Sequence, residues 1–212
     1  MILTKICGLK DRSAVEAAVD GGAGFIGFVA FPASPRDIDP NAAARLAAPV
    51  RARVKIVAVT VDPDNALLER LVAILAPDYI QLHGKETPER VADIRRRLSC
   101  GLIKALPVAE AADLDAALRY DDLVDHLMFD AKSAPGDGLP GGLGRRFDWT
   151  LTAGRRFSRP WFLAGGLDPW NVGEAVRLSG APMVDVSSGV ERGAGLKDPA
   201  LIGAFLEAVR RA

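Results

Sequence analysis

Two ionisable residues stand where apolar runs end, and their types suit proton transfer. Cys7 follows Ile6 and precedes Gly8, two positions after Lys5. A thiolate is a competent base, and a nearby cation such as Lys5 favours it by lowering the thiol pKa. The plain alternative is a small buried hydrophobe, a common fate of free cysteine. Asp130 closes the run Leu127-Met128-Phe129. In a partly closed pocket its carboxyl group can keep a proton and act as a general acid. As a bland residue it caps a loop or pairs with Lys132. Cys100, between a charged segment and Gly101, reads as structural.

Anion recognition has separate candidates. Gly165-Gly166 and Ser187-Ser188-Gly189 each follow a short apolar run. Glycine lets backbone N–H groups approach an oxyanion, and serine adds a donor, so two such clusters in consecutive units suggest a phosphate site. Neither loop carries a lysine or arginine, so the N–H groups themselves are expected to hold the anion. Gly141-Gly142 adds donors or a lid element, and Gly142 is counted with the phosphate group. Arg36, after Ser34-Pro35, offers a planar fork to a carboxylate, its alternative being a solvated surface arginine. Lys5, Gln81 and His83 complete the expected substrate contacts. His83 and His126 lack a third ligand at metal spacing, and CxxC and HExxH are absent, so no metal is expected. With no dinucleotide fingerprint and no phosphate-loop lysine, no cofactor is expected either.

The elements that would position these residues follow a repeating pattern. Short runs rich in Ile, Val and Phe cover residues 2–6, 24–29, 53–59, 79–82, 102–106, 123–129, 161–163 and 183–186. Between them lie segments of helical period. Helices are expected from Asp11 to Val19, Asp39-Pro40 to Leu46, Asp62-Pro63 to Ile74 and Thr87-Pro88 to Leu98. Further ones cover residues 110–119, a short stretch from Trp149 to Phe157, Asp168-Pro169 to Leu178, and Asp198-Pro199 to Val209. An aspartate or threonine before proline is a helix-start signal. Eight such units predict a single-domain (β/α)8 barrel, a TIM barrel over residues 1–212, with a doubly wound open sheet as competitor. The C-terminal strand ends of such a barrel form one mouth, where Lys5, Cys7, Arg36, Gln81, His83, Asp130, Gly166 and residues 187–189 would gather. Residues 131–144 form a long loop rich in Gly and Pro, of a kind that is often functional.

Composition narrows the partners. The chain has 212 residues, 49% hydrophobic and 25% charged, with 27 basic residues against 27 acidic ones. That is enough apolar material for one large core. Balanced charge argues against nucleic acid or an anionic membrane as partner. No apolar run reaches the roughly 18 residues of a membrane span. The start MILTKICG shows no leader pattern, and two cysteines make no disulfide scaffold, so a cytoplasmic location is expected.

Fragments across nearly the whole chain carry a family resemblance. They are Lys5-Ile6-Cys7-Gly8, Ser34-Pro35-Arg36, Gln81-Leu82-His83-Gly84, Phe129-Asp130, Gly141-Gly142 with Phe147-Asp148-Trp149, and Leu163-Ala164-Gly165-Gly166-Leu167. The last are Asp185-Val186-Ser187-Ser188-Gly189-Val190-Glu191 and Lys197-Asp198. In this order the chain resembles the phosphoribosylanthranilate isomerase family of tryptophan biosynthesis. The resemblance implies a (β/α)8 barrel and an Amadori rearrangement of N-(5-phosphoribosyl)anthranilate to 1-(2-carboxyphenylamino)-1-deoxyribulose 5-phosphate. It implies no cofactor or metal, a phosphorylated small-molecule substrate, and a monomer or homodimer. It makes Cys7 the general base and Asp130 the general acid, gives Arg36 the anthranilate carboxylate, and puts the phosphate on the loops after strands 7 and 8. Where the family usually reads Gly-Gly-Thr-Gly, this chain has Gly141-Gly142-Leu143-Gly144, which removes a hydroxyl from the loop. Competing readings are a phosphosugar epimerase, an indole-glycerol-phosphate synthase using lysines such as Lys5 and Lys104, and a non-catalytic phosphosugar-binding protein.

Overall fold

Period-two alternation within each apolar run decides what the sheet encloses. The computed structural model describes residues 2–133, 141–142 and 144–212. Leu143 and residues 134–140 of the expected long loop lie outside these. Among the described residues, eight parallel strands form a closed barrel, so the open sheet is excluded. They are β1 (Leu3–Cys7), β2 (Phe25–Val29), β3 (Lys55–Thr60), β4 (Tyr79–Leu82), β5 (Gly101–Val108), β6 (His126–Ala131), β7 (Trp161–Leu163) and β8 (Met183–Val186). Each pairs with the next, and β8 returns to β1 with Lys5 in register with Asp185.

The helices are α1 (Arg12–Asp20), α2 (Pro40–Ala47), α3 (Asn65–Leu75), α4 (Pro88–Arg97), α5 (Val172–Ser179) and α6 (Pro199–Arg210). Asp11, Asp39, Thr87 and Asp198 cap their helices as read, each accepting from backbone N–H groups of the first turn. Two starts differ. The cap of α3 is Asp64, because Asp62 adopts φ 45° and its carboxylate accepts from the N–H of Lys85, 2.7 Å away. Asp168 caps only the turn before α5, accepting from the N–H groups of Trp170 and Asn171. Residues 111–119 wind as a 3-10 helix, and the segment after Trp149 gives only a 3-10 turn to Thr152. There the Thr152 hydroxyl bonds back to the Trp149 carbonyl, and Gly154 at φ 69° turns the chain away. A small hairpin, β9 (Glu191–Gly193) with β10 (Leu196–Lys197), was not foreseen.

Ile6, Ile26, Ile56, Ile80, Leu102, Leu127 and Val184 point outward and pack under the helices. Val29, Val57, Val59, Ile103, Ala105 and Met128 point inward. Phe25, Tyr79, His126 and Phe162 close the floor, with neighbouring ring centroids 5.2–6.0 Å apart. Lys104 lies between outward-facing Leu102 and Leu106, so alternation turns it away from the mouth. Its ammonium donates to Glu86 at 2.7 Å and to the carbonyls of Leu82 and Gly84, bracing the loop after β4. The synthase reading loses one of its two lysines. Among the described residues, no helix is long and apolar enough to cross a membrane.

Candidate active site

Inward-facing pairs at positions i and i+2 stack a deep residue under a residue at the mouth. Lys5 lies under Cys7 on β1, Gln81 under His83 on β4, and Met128 under Asp130 on β6. Cys7, Arg36, His83, Asp130, Gly166 and Ser188 all line one cavity at the C-terminal strand ends. Lys5 and Gln81 are fully buried and sit a layer below it. Their expected contact with substrate gives way to support from beneath.

Cys7 sits directly above a buried pair of charges. Lys5 donates to Asp185 at 2.8 Å, an ion pair formed inside the barrel across the β1–β8 register. A Cβ at Gly27 of β2 would stand 3.1 Å from the Cys7 sulfur and 3.3 Å from Lys5 Cε, so glycine there leaves both side chains their room. Burial pushes the Cys7 thiol up, and Asp185 adds to this; Lys5 and Lys197 oppose it without reversing it. The expected lowering by Lys5 is present but is outweighed. Burial also works against the Lys5 ammonium, yet Asp185 and Cys7 outweigh it and hold its pKa above the ordinary value.

Asp130 is held from two sides. Its Oδ1 accepts from the N–H of Ala131 at 2.8 Å, and its Oδ2 lies 3.0 Å from His83 Nε2. The other ring nitrogen, Nδ1, lies 2.8 Å from Gln81 Nε2. Lys132, the bland partner, pairs with Asp113 instead. Asp130 therefore belongs to a side-chain chain running down into the barrel.

Arg36 is 6% exposed and no solvated surface arginine. Its Nε and Nη2 donate to the two oxygens of Glu191 at 2.8 and 2.9 Å, and Nη2 also donates to the Gly142 carbonyl. The Nε–H and both N–H groups of Nη2 are thereby committed within the protein, which leaves the donors of Nη1. Glu191 is fixed in turn by Lys197, 2.7 Å away, whose ammonium also reaches Ser187. Arg36 and Lys197 hold the Glu191 carboxylate below its ordinary pKa against the effect of burial. Burial pushes the Lys197 ammonium down, with Glu191 resisting. Glu191, Lys197 and Asp185 had no assigned role in the sequence reading. Asp185 carried a signal, a carboxylate within the apolar run 183–186; the hairpin bearing Glu191 and Lys197 has no such periodicity.

The two glycine clusters meet at the same mouth. Gly165 and Gly166 adopt φ 86° and 63°, a left-handed pair that side chains disfavour. A Cβ at Gly189 would collide with the Leu167 carbonyl, so glycine lets the loops after β7 and β8 touch. Among the described residues, no loop or cap hydrogen bond takes up the N–H groups of Gly166, Ser188 or Gly189. Ser187 differs from its neighbours: its hydroxyl donates to the Cys7 carbonyl at 3.2 Å and ties β8 to β1.

The family profile described as N-(5'phosphoribosyl)anthranilate (PRA) isomerase matches residues 4–208. A protein of Caulobacter sp. (strain K31) named N-(5'-phosphoribosyl)anthranilate isomerase is 65% identical over 212 residues, all of both chains. The crystal structure of phosphoribosyl anthranilate isomerase from Thermotoga maritima is similar with a TM-score of 0.89 and 34% identity, covering 100% of each chain. A structure of phosphoribosyl anthranilate isomerase in complex with reduced 1-(o-carboxyphenylamino)-1-deoxyribulose 5-phosphate gives 0.86 and 31% identity, again covering 100% of each chain.

Proposed function

The chain belongs to the N-(5'-phosphoribosyl)anthranilate isomerase family, and on that premise we propose how its own residues divide the work. The reaction is the Amadori rearrangement of N-(5-phosphoribosyl)anthranilate to 1-(2-carboxyphenylamino)-1-deoxyribulose 5-phosphate, a step of tryptophan biosynthesis. The observation that carries the division is one cavity reached by a thiol from β1 and a carboxyl group from β6. Between them, on β7 and β8, lie two loops whose N–H groups at Gly166, Ser188 and Gly189 are not taken up by loop or cap bonds among the described residues.

Asp130, in its protonated form, gives its proton to the furanose ring oxygen as the C1–O bond breaks. The anilino nitrogen supplies the electron pair and becomes an iminium. The iminium acidifies the C2 proton, which the Cys7 thiolate removes to leave an enolamine. The enolamine gains a proton at C1 as its C2 hydroxyl loses one, giving the ketone. The substrate's own iminium is the electron sink, so this sequence needs only an acid and a base. Gly166, Ser188 and Gly189 hold the phosphate through N–H groups, assisted by Gly142, Gly165 and Ser187 as shapers of the loops. Nη1 of Arg36 faces the anthranilate carboxylate. A non-catalytic phosphosugar binder would need only the loops and would leave Cys7 and Asp130 replaceable. The test is turnover of freshly made phosphoribosylanthranilate, followed as loss of anthranilate fluorescence, in the Cys7→Ser and Asp130→Asn variants. Full activity in either folded variant overturns that assignment.

The enzyme is further proposed to work in the cytoplasm, supported by its two free thiols. Of the two quaternary forms expected, the monomer is favoured. Among the described residues the large exposed apolar side chains are scattered: Leu3 at the barrel floor, Leu118 on the outer shell after β5, and Trp170 and Leu196 at the mouth, too few at any one place for a broad apolar face. Sedimentation at micromolar concentration distinguishes it from a homodimer.

A further inference from the structure

Gln81 is a polar side chain inside the barrel that the reaction above does not use. It is fully buried, and its carbonyl Oε1 has no hydrogen-bond partner among the described residues. Its Nε2 lies 2.8 Å from His83 Nδ1 and 3.4 Å from the Met128 sulfur. A buried amide oxygen left bare costs about 1–3 kcal/mol, so its persistence calls for a reason.

The reason lies in the proton count of the neighbouring pair. When Gln81 donates to Nδ1, that nitrogen is an acceptor and the ring proton sits on Nε2. Nε2 then donates to Oδ2 of Asp130, which must be a carboxylate. This arrangement suits the pair after its acidic proton has left. When the pair holds one proton more, Nδ1 carries hydrogen whether the extra proton rests on Asp130 or on the ring. An Nδ1–H needs an acceptor, and the amide supplies one by rotating its carbonyl into the place of its nitrogen. Asparagine and glutamine amides are nearly symmetric in shape, so the rotation needs no new space.

We propose that the acid of this barrel is the His83–Asp130 pair sharing one proton, with Gln81 as the positioning residue whose amide turns to match the state of the pair. This rests on the reading of Asp130 as the acid. Asp130 Oδ1 stays anchored on the Ala131 N–H in both states, which leaves Oδ2 as the working oxygen. The ionisable groups that share the cavity with His83 are Cys7 from β1, Arg36 from the loop after β2, Asp130 and Arg145 from β6 and the segment beyond it, and Asp185 from β8. Lys104 and Glu86 brace the loop that follows His83. Asp130 is bonded directly to the ring.

The test uses the whole enzyme and the fact that the chain has two histidines, His83 and His126. Ring nitrogen-15 spectra of histidine-labelled protein report the proton on each nitrogen, and a His83→Asn sample assigns the signals. In wild-type enzyme, His83 Nδ1 is expected to pass from bare to protonated as the pH falls, and Asp130→Asn is expected to displace that transition. Nδ1 in one state across the whole pH range, or a transition indifferent to Asp130→Asn, overturns the shared proton. Gln81→Leu is expected to lower kcat about tenfold with KM within about twofold, and to shift the pH profile of kcat/KM; this is less than the loss of the acid itself. Gln81→Glu, which can only accept, is expected to stabilise protonated Nδ1 and move the His83 transition to higher pH, a readout that survives if the leucine variant fails to fold. Wild-type profiles in both variants overturn the role of Gln81. Because the spectra are taken without substrate, they stand or fall separately from the role of Asp130 in turnover.

Discussion

The mouth and the floor of this barrel are built from the same strands and have opposite chemistry. At the floor, Phe25, Tyr79, His126 and Phe162 pack in tilted and edge-to-face pairs and seal the end. Towards the mouth the inward side chains of several strands are ionisable: Lys5 and Asp185 in the middle of the barrel, with Cys7, His83 and Asp130 above them. A strand offers an inward residue every second position, so a few residues of each run separate sealing from reacting. The floor contributes burial, while the mouth keeps ionisable groups in place at a cost in desolvation. Substitutions at the two ends should therefore separate activity from stability.

The largest separation is expected at Cys7 and Asp130. Cys7→Ser keeps the size and hydrogen bonding of the side chain but replaces a thiol by a far weaker acid. Asp130→Asn keeps the shape and removes the acidic proton. Each should lower kcat by at least about 100-fold, the low end for one acid–base group, with thermal stability close to wild type. Steady-state kinetics beside a melting curve checks both halves. The floor should respond in reverse. Phe162→Ala, at a fully buried ring, should cost about 3–5 kcal/mol by urea titration and leave kcat per folded molecule near wild type. A large loss of kcat there would show that the two ends are coupled through the barrel.

A smaller effect is expected at the rim. Arg36→Lys keeps the charge, but one ammonium cannot hold both Glu191 oxygens and the Gly142 carbonyl and still present a donor to a carboxylate. KM should rise about tenfold or more, with kcat changed less. A specificity constant equal to wild type would remove Arg36 from substrate recognition. The expected bell-shaped pH profile of kcat/KM reports coupled groups at this mouth, so its limbs belong to the ensemble and not to Cys7 or Asp130 singly.

The difference between the ends also marks what was legible in the sequence. Apolar runs, Asp-Pro and Thr-Pro starts and glycine pairs are local signals, and they located the strands, most helix caps and the ring of residues at the mouth. Asp62 and Asp168 misled because each bonds a backbone group other than the first turn of its helix. The capture of Arg36 by Glu191 joins residues 155 positions apart, and no local pattern encodes it. The direction of the Cys7 shift was hidden for another reason. It is the balance of burial and Asp185 against two lysines, and neither the depth of Cys7 nor the approach of Asp185 from β8 is written in the residues around it. Lys104 shows the opposite case: counting by twos from Leu102 already turns it outward.

The smallest expected effect belongs to the floor and concerns pH. Burial pushes the His126 imidazole below its ordinary pKa of about 6.5, and the charge of neighbouring Asp125 offsets this only in part. Its Nδ1 is buried with no partner among the described residues, and the ring lies 5.2 Å from Tyr79 and 5.7 Å from Phe162 by centroid. The folded protein therefore favours neutral His126, while the unfolded chain takes up a proton first as the pH falls. The stabilisation is complete above pH about 6.5 and is lost progressively as the pH drops through the folded-state value. Carboxylates with lowered values, such as Asp125 and Glu191, lose their contribution only at lower pH, so the histidine window can be read on its own. Urea midpoints at pH 8, 7, 6 and 5.5 should fall across this interval in wild type and stay nearly level in His126→Phe, which keeps a ring in the floor and cannot titrate. Equal slopes in the two proteins would mean that the floor is blind to pH and that any loss of stability above pH 5 comes from the mouth.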